Sequence, residues 1–126
     1  MKQLASLSII TGFLLGGCTL LPPALTNAND TIEQAVNAEQ QKQTDKTAAR
    51  VKCQQLCQDT LLADGVNFDV GPCLSNSIAP DWVCDVAHSP RQTVDDDPAN
   101  QCASFRSGQV GHFVEVDGNC NVIQAR

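Results

Sequence analysis

The apolar positions of the chain fall into distinct regimes. Leu4 to Leu15 (LASLSIITGFLL) is a largely apolar run of twelve residues, too short for a comfortable bilayer span of about 20. Thr19 to Asn29 carries two prolines, no charge and no period, which predicts a tether with an extended path at Pro22-Pro23. From Asp30 to Ala63 there is no Gly or Pro, and Ala, Gln, Glu, Lys and Leu dominate, so a long helix is predicted. Asp30 suits its N-cap, Glu33 the capping box, and Gly65 the residue just past its end. Over residues 30–48 only Ile32, Ala35, Val36 and Ala38 are apolar contacts. Over 49–62 Ala49, Cys53, Leu56, Cys57, Thr60 and Leu61 form a stripe spaced by three and four, so this half packs on a domain. The first half reads as a solvated stalk, because residues 39–47 (EQQKQTDKT) lack the apolar positions of a coiled coil.

Beyond the helix the period changes to two. Val66 to Val70 alternates, a short predicted strand broken by Gly71-Pro72. Cys73 to Pro80 reads as a loop. Asp81 to Ala87 predicts a better strand, with Trp82, Cys84 and Val86 on one face and Val83, Asp85 and Ala87 on the other. Asp95-Asp96-Asp97-Pro98 reads as an acidic loop entering a helix, with Asp97 as N-cap, Pro98 at the first helical position and Gly108 as the stop. Cys102 and Phe105 face inward on it. His112 to Asp117, the turn Asp117-Gly118-Asn119 and Cys120 to Ala125 form a hairpin. The fold class is α+β: a long N-terminal helix plus a small antiparallel sheet and a short helix, stapled by disulfides.

The seven cysteines sharpen this. Cys18 closes the apolar run as Leu15-Gly16-Gly17-Cys18, behind a thin positive start at Lys2. That pattern resembles the lipobox of bacterial lipoproteins, where signal peptidase II cuts before the cysteine. The resemblance implies that residues 1–17 are a signal peptide and that Cys18 carries diacylglycerol, often with a further acyl chain such as palmitate. Two or three chains are what stable anchoring needs, since one alone holds only marginally. Thr19 in place of an aspartate resembles outer-membrane sorting. Removing Cys18 leaves Cys53, Cys57, Cys73, Cys84, Cys102 and Cys120, an even set expected to form three disulfides in an oxidising compartment. Six cysteines allow fifteen connectivities, and spacing does not choose among them. Cys53 and Cys57, at i and i+4, share a helix face and each needs a partner in the later segments. The chain thus divides into a signal peptide (1–17), a lipidated tether (18–29), a helical stalk (30–52) and a disulfide-rich α+β domain (53–126).

Charge narrows the partners. Residues 53–126 hold ten acids against Arg91, Arg106 and Arg126, which argues against nucleic acid and anionic headgroups. The stretch Trp82 to Arg91 (WVCDVAHSPR) resembles part of an uncharacterised cysteine-rich extracytoplasmic family, a resemblance that implies no particular activity. Within it Asp85, His88 and Arg91 are candidate ligand or metal groups that would converge at a cleft mouth. The plainer alternative is scaffolding, with Asp85 pairing Arg91 and His88 ending the strand. His112 reads as a partly buried structural histidine beside Val114 and Val116. A His88–His112 metal pair would need Asp85 or Glu115 alongside. Asp64, Asn67 and Asp69 are close-set oxygen ligands, but the EF-hand pattern is absent. With all six domain cysteines bridged, no thiolate nucleophile remains, and no serine-hydrolase or zincin motif occurs.

The expectation is a non-enzymatic lipoprotein without a cofactor, held on the periplasmic side of the outer membrane or at the cell surface. Its role would be interaction with an envelope protein or an envelope-structural one. A small metal- or ligand-binding module centred on Asp85, His88 and Arg91 is the alternative.

Overall fold

A computed structural model describes residues 23–63 and 67–126, with side chains from residue 27 on. The motif Leu15 to Cys18, the Asp64-Gly65 helix stop and Val66 lie outside these residues. The chain divides into two units, 1–34 and 35–126. The described part of the first is helix alone.

Helix α1 spans Pro23–Leu62. It begins seven residues earlier than the Asp30 cap predicts, so residues 23–29 are helical rather than extended. Within the second unit the predicted stripe holds over Ala49, Cys53 and Cys57 and fails at its end, where Leu61 is 52% exposed. Ala49, Cys53 and Cys57 are fully buried, while Val51 on the other side is 61% exposed. No helix among the described residues is long and apolar enough to cross a membrane.

Four strands follow: β1 (Cys73–Ala79), β2 (Trp82–Val86), β3 (His112–Val116) and β4 (Val122–Ala125), in the order β1-β2-β3-β4. β1 corrects the loop expected over 73–80. Its centre is polar and exposed because it lies at the sheet edge, where one side of the strand needs no apolar cover. The Val66–Val70 expectation also fails. Phe68–Val70 is a single 3₁₀ turn, capped by the Asn67 side chain, which accepts from the Asp69 N–H at 2.8 Å. The Asn67 side-chain oxygen is thus engaged in the turn, and Asp64 lies outside the described residues.

The sheet is mixed, not antiparallel. β1–β2 and β3–β4 are antiparallel pairs, but β2 and β3 run parallel. The long connection from Ala87 to Gly111 is enough for the crossover that parallel pairing requires. Within it the expected helix from Pro98 shrinks to α2, Ala103–Arg106, where the Ser104 N–H donates to the Asn76 side chain at 2.9 Å. Asp97 instead closes a turn by accepting from the Ala99 N–H at 2.9 Å. Gly108 does mark the stop, with φ of 72°. The hairpin turn after β3 is as expected. Asp117 gathers the N–H groups of Asn119 and Asn121 at 2.9 and 2.8 Å.

The core forms where α1 lies on the sheet. Trp82, Cys84 and Val86 of β2 and Val114 and Val116 of β3 cluster with Ala49, Cys53 and Cys57. Three disulfides run through the domain: Cys53–Cys84, Cys57–Cys120 and Cys73–Cys102, with Cα separations of 5.5, 5.6 and 4.9 Å. The first two pin adjacent turns of α1 to β2 and to the start of the returning chain. The third ties β1 to the N-terminus of α2. All six domain cysteines are bridged, as the even count predicts.

Candidate functional site

The parallel register of β2 and β3 sets Val83 beside Phe113 and Asp85 beside Glu115. Side chains alternate along a strand, so these four lie on the face away from α1. There they line a pocket of about 440 Å³ with Cys102 and Phe105 from the crossover and Gln124 from β4. Phe105 meets Phe113 edge to face, ring centres 4.9 Å apart, a favoured aromatic geometry. Arg126 lays its guanidinium over the Phe113 ring at 5.3 Å. The pocket floor is thus apolar and aromatic, and its polar groups converge from three strands and a loop.

Arg91 is the clamp of the polar side. Its Nη1 donates to Glu115 Oε1 at 2.6 Å, its Nε to Asp96 Oδ1 at 2.9 Å, and its Nη2 to the Asp95 carbonyl at 3.3 Å. Those bonds to Glu115 and Asp96 reinforce its charge. The second oxygen of Glu115 accepts from the Gln124 amide, so this carboxylate, 5% exposed, is satisfied on both sides. Buried charge is tolerable only when paired in this way.

Asp85 is different. Its Oδ1 is wholly buried and has no hydrogen-bond partner among the described residues. Burial pushes its pKa up to about 7, the neighbouring Glu115 charge adds to this, and Arg91 opposes it. Near neutrality Asp85 is therefore a carboxyl poised between its two forms.

The sequence-predicted trio is split. Asp85 and Arg91 share the pocket without a direct bond, because Arg91 is taken by Glu115 and Asp96. His88 is drawn off by Asp95: its N–H donates to Oδ2 at 3.2 Å and its Nδ1 to Oδ1 at 2.7 Å. Gln92 N–H also donates to Oδ2 at 2.7 Å. Burial works against the ionised Asp95, but these bonds from Gln92 and His88 prevail and lower its pKa. An acceptor-only carboxylate requires the proton on His88 Nδ1. Asp95, 3% exposed, is thus a buried organiser of the loop, not part of a solvated helix entry. It also explains Gly71, where a Cβ would come within 2.7 Å of Asp95 Oδ1.

His112 lies on the core face, as its register with Val114 and Val116 predicts, but at the open end of β3 and half exposed. It stacks on Trp82 with centroids 4.7 Å apart, and its Nε2 lies 3.4 Å from Asp81 Oδ2. Asp81 also receives the Gly111 N–H at 2.6 Å and so helps start β3. The two histidines are held by separate partners. No group of three or more His, Cys, Asp or Glu side chains suited to a metal occurs among the described residues. His112→Ala should cost about 0.5–1 kcal/mol, the scale of an aromatic stack. The exposed ion pair adds little. A denaturant titration with unchanged m-value checks this; a loss above about 2 kcal/mol would make His112 a core residue after all.

Neither a family model, nor a curated protein, nor a solved structure matches this chain. The geometry has to carry the functional reading.

Sequence reasoning missed Gln101, Phe113, Gln124 and Arg126 as pocket residues. Phe113 and Glu115 carry a readable signal, since they alternate with Val114 and Val116. What the sequence lacks is the register that sets that second face beside Val83 and Asp85.

Proposed function

We propose that this is a lipid-anchored extracytoplasmic protein whose disulfide-stapled domain works by binding rather than catalysis. The observation that carries the binding role is the pocket in which a buried oxygen of Asp85 meets no partner. A native fold rarely leaves a polar atom unmet without a use for it. The pocket joins an apolar lining to a few convergent polar groups, the usual character of a small-molecule site. It favours an organic ligand over a metal, since Glu115 is already neutralised by Arg91 and Asp85 alone makes a poor cage. This moves the centre of the site from Asp85, His88 and Arg91 to Asp85, Arg91 and Glu115. The anchor rests on Leu15 to Cys18 and on the fully oxidised cysteine set, which suits an exported domain.

Two measurements test this. Cys18→Ser should release the protein from the membrane fraction; retention with the signal removed would refute the lipid anchor. A fragment screen followed by amide chemical shifts should give hits centred on Val83, Phe105, Phe113 and Gln124. A screen without hits there at millimolar concentration would refute the pocket.

A further inference from the structure

We infer that the pocket takes a small organic amine, its ammonium head set against Asp85 and an apolar, ring-sized body against Val83, Phe105 and Phe113. The inference rests on the pocket reading and adds the ligand's chemistry to it.

The hydrogen-bonding capacity left in the lining decides the ligand's chemistry. Arg91 spends its Nε and both terminal nitrogens on Asp96, Glu115 and the Asp95 carbonyl. Glu115 has both oxygens engaged. Gln124 donates its amide N–H to Glu115, and Gln101 donates its own to the Asp95 carbonyl at 3.3 Å. Each glutamine therefore presents its carbonyl oxygen as the end without a partner among the described residues. Arg91 and both glutamines keep further N–H groups, but among the described residues Asp85 Oδ1 is the polar side-chain atom of the lining that is both buried and unmet, and it is an acceptor. A ligand that satisfies this oxygen must offer a donor, and a primary ammonium offers three on one atom.

Charge points the same way. Glu115 is paired with Arg91, which leaves Asp85, beside it in register, as the carboxyl of the strand pair with no bonded cation. A cation supplies the counter-charge that Asp85 lacks, because Arg91 is committed elsewhere. The apolar body has its own surface in Val83 and the Phe105–Phe113 pair, and the guanidinium of Arg126 over Phe113 shows that this ring accepts a cation. Arg126 sits at the exposed rim of the pocket.

The groups that face Asp85 are Glu115 on β3 and Arg91 and Asp95 on the crossover, with Arg126 at the rim. Asp85 changes charge near neutrality, so binding of a cation should strengthen as it ionises.

The test uses three probes with one body and different heads: phenethylamine, 2-phenylethanol and phenylacetate. They are titrated into the full chain carrying Cys18→Ser, disulfides formed, and read by amide shifts at Val83, Phe105, Phe113 and Gln124. At pH 8 the amine should bind at least about tenfold tighter than either other probe, and about tenfold weaker at pH 5.5. In Asp85→Asn, which keeps the side chain's shape, both the preference and the pH dependence should vanish. Equal or tighter binding of the alcohol or the acid would overturn the amine assignment and leave the pocket standing. An amine preference that survives Asp85→Asn would overturn Asp85 as the head group's partner. Silence from all three probes would overturn the pocket reading itself.

Discussion

Replacing Cys57 and Cys120 together with alanine should lower the domain's stability by about 4 kcal/mol and its melting temperature by about 20 °C. The magnitude follows from the 63 residues that separate these cysteines. Cross-linking so long a segment removes much of the unfolded chain's freedom, and the gain grows with the logarithm of its length. The other two bridges span 31 and 29 residues, so each should contribute about 0.5 kcal/mol less. A loss of this size matters because the core is thin. Of the twelve buried hydrophobic residues among those described, five are cysteines, and the largest side chain is a single tryptophan. A domain with so little apolar volume has a reserve of about 5 kcal/mol or less. The double variant avoids a stray thiol, and its melting curve against wild type gives the answer directly. A fall below about 5 °C would mean that the α1 contacts at Ala49 and Cys53 hold the helix to the sheet without the bridge.

That reliance on covalent staples was legible from the cysteine count, and so was the number of bridges. Their pairing was not, because it depends on strand direction. Hydrophobic alternation reveals which residues share a face, and it did so for Trp82, Cys84 and Val86. It is silent on whether β2 and β3 run parallel, since reversing a strand leaves its period unchanged. β1 was missed because Ser75-Asn76-Ser77 interrupts its apolar pattern, which an edge strand tolerates. The false helix from Pro98 arose because Asp and Pro signal a cap, whereas here Asp95 is buried under His88 and Gln92 and the chain turns instead. For the site, Asp85 and Arg91 could be named from sequence. Glu115 as their partner, and the loss of His88 to Asp95, required the fold to bring distant segments together.

Asp85→Asn should make the domain more stable at pH 8, by about 2 kcal/mol, and leave it nearly unchanged at pH 4. In the unfolded chain Asp85 ionises at its ordinary 3.8, whereas in the folded domain burial and then Glu115 raise this to about 7. Below the lower value both states hold the proton and the carboxyl has no pH-dependent effect. Between the two values the unfolded chain releases its proton while the native domain keeps it, so stability falls as pH rises. The slope is about 1.4 kcal/mol per unit, and the loss is complete above the folded value. The full interval sets a ceiling of about 4 kcal/mol; partial exposure of the side chain and relaxation around it reduce the expected effect to about half. Asparagine keeps the shape and loses the charge, so the penalty disappears with it. Urea titrations of both proteins from pH 4 to 8 supply the test, and a constant difference across that range would refute a raised Asp85. A residue that destabilises its own fold at neutral pH calls for a compensating use, and an ammonium ligand would provide one. If Asp85→Asn both steadies the domain and abolishes the amine preference, the instability belongs to the binding function. If it steadies the domain while amine binding is unaffected, the orphan oxygen is a packing defect and the head group's partner lies elsewhere in the pocket.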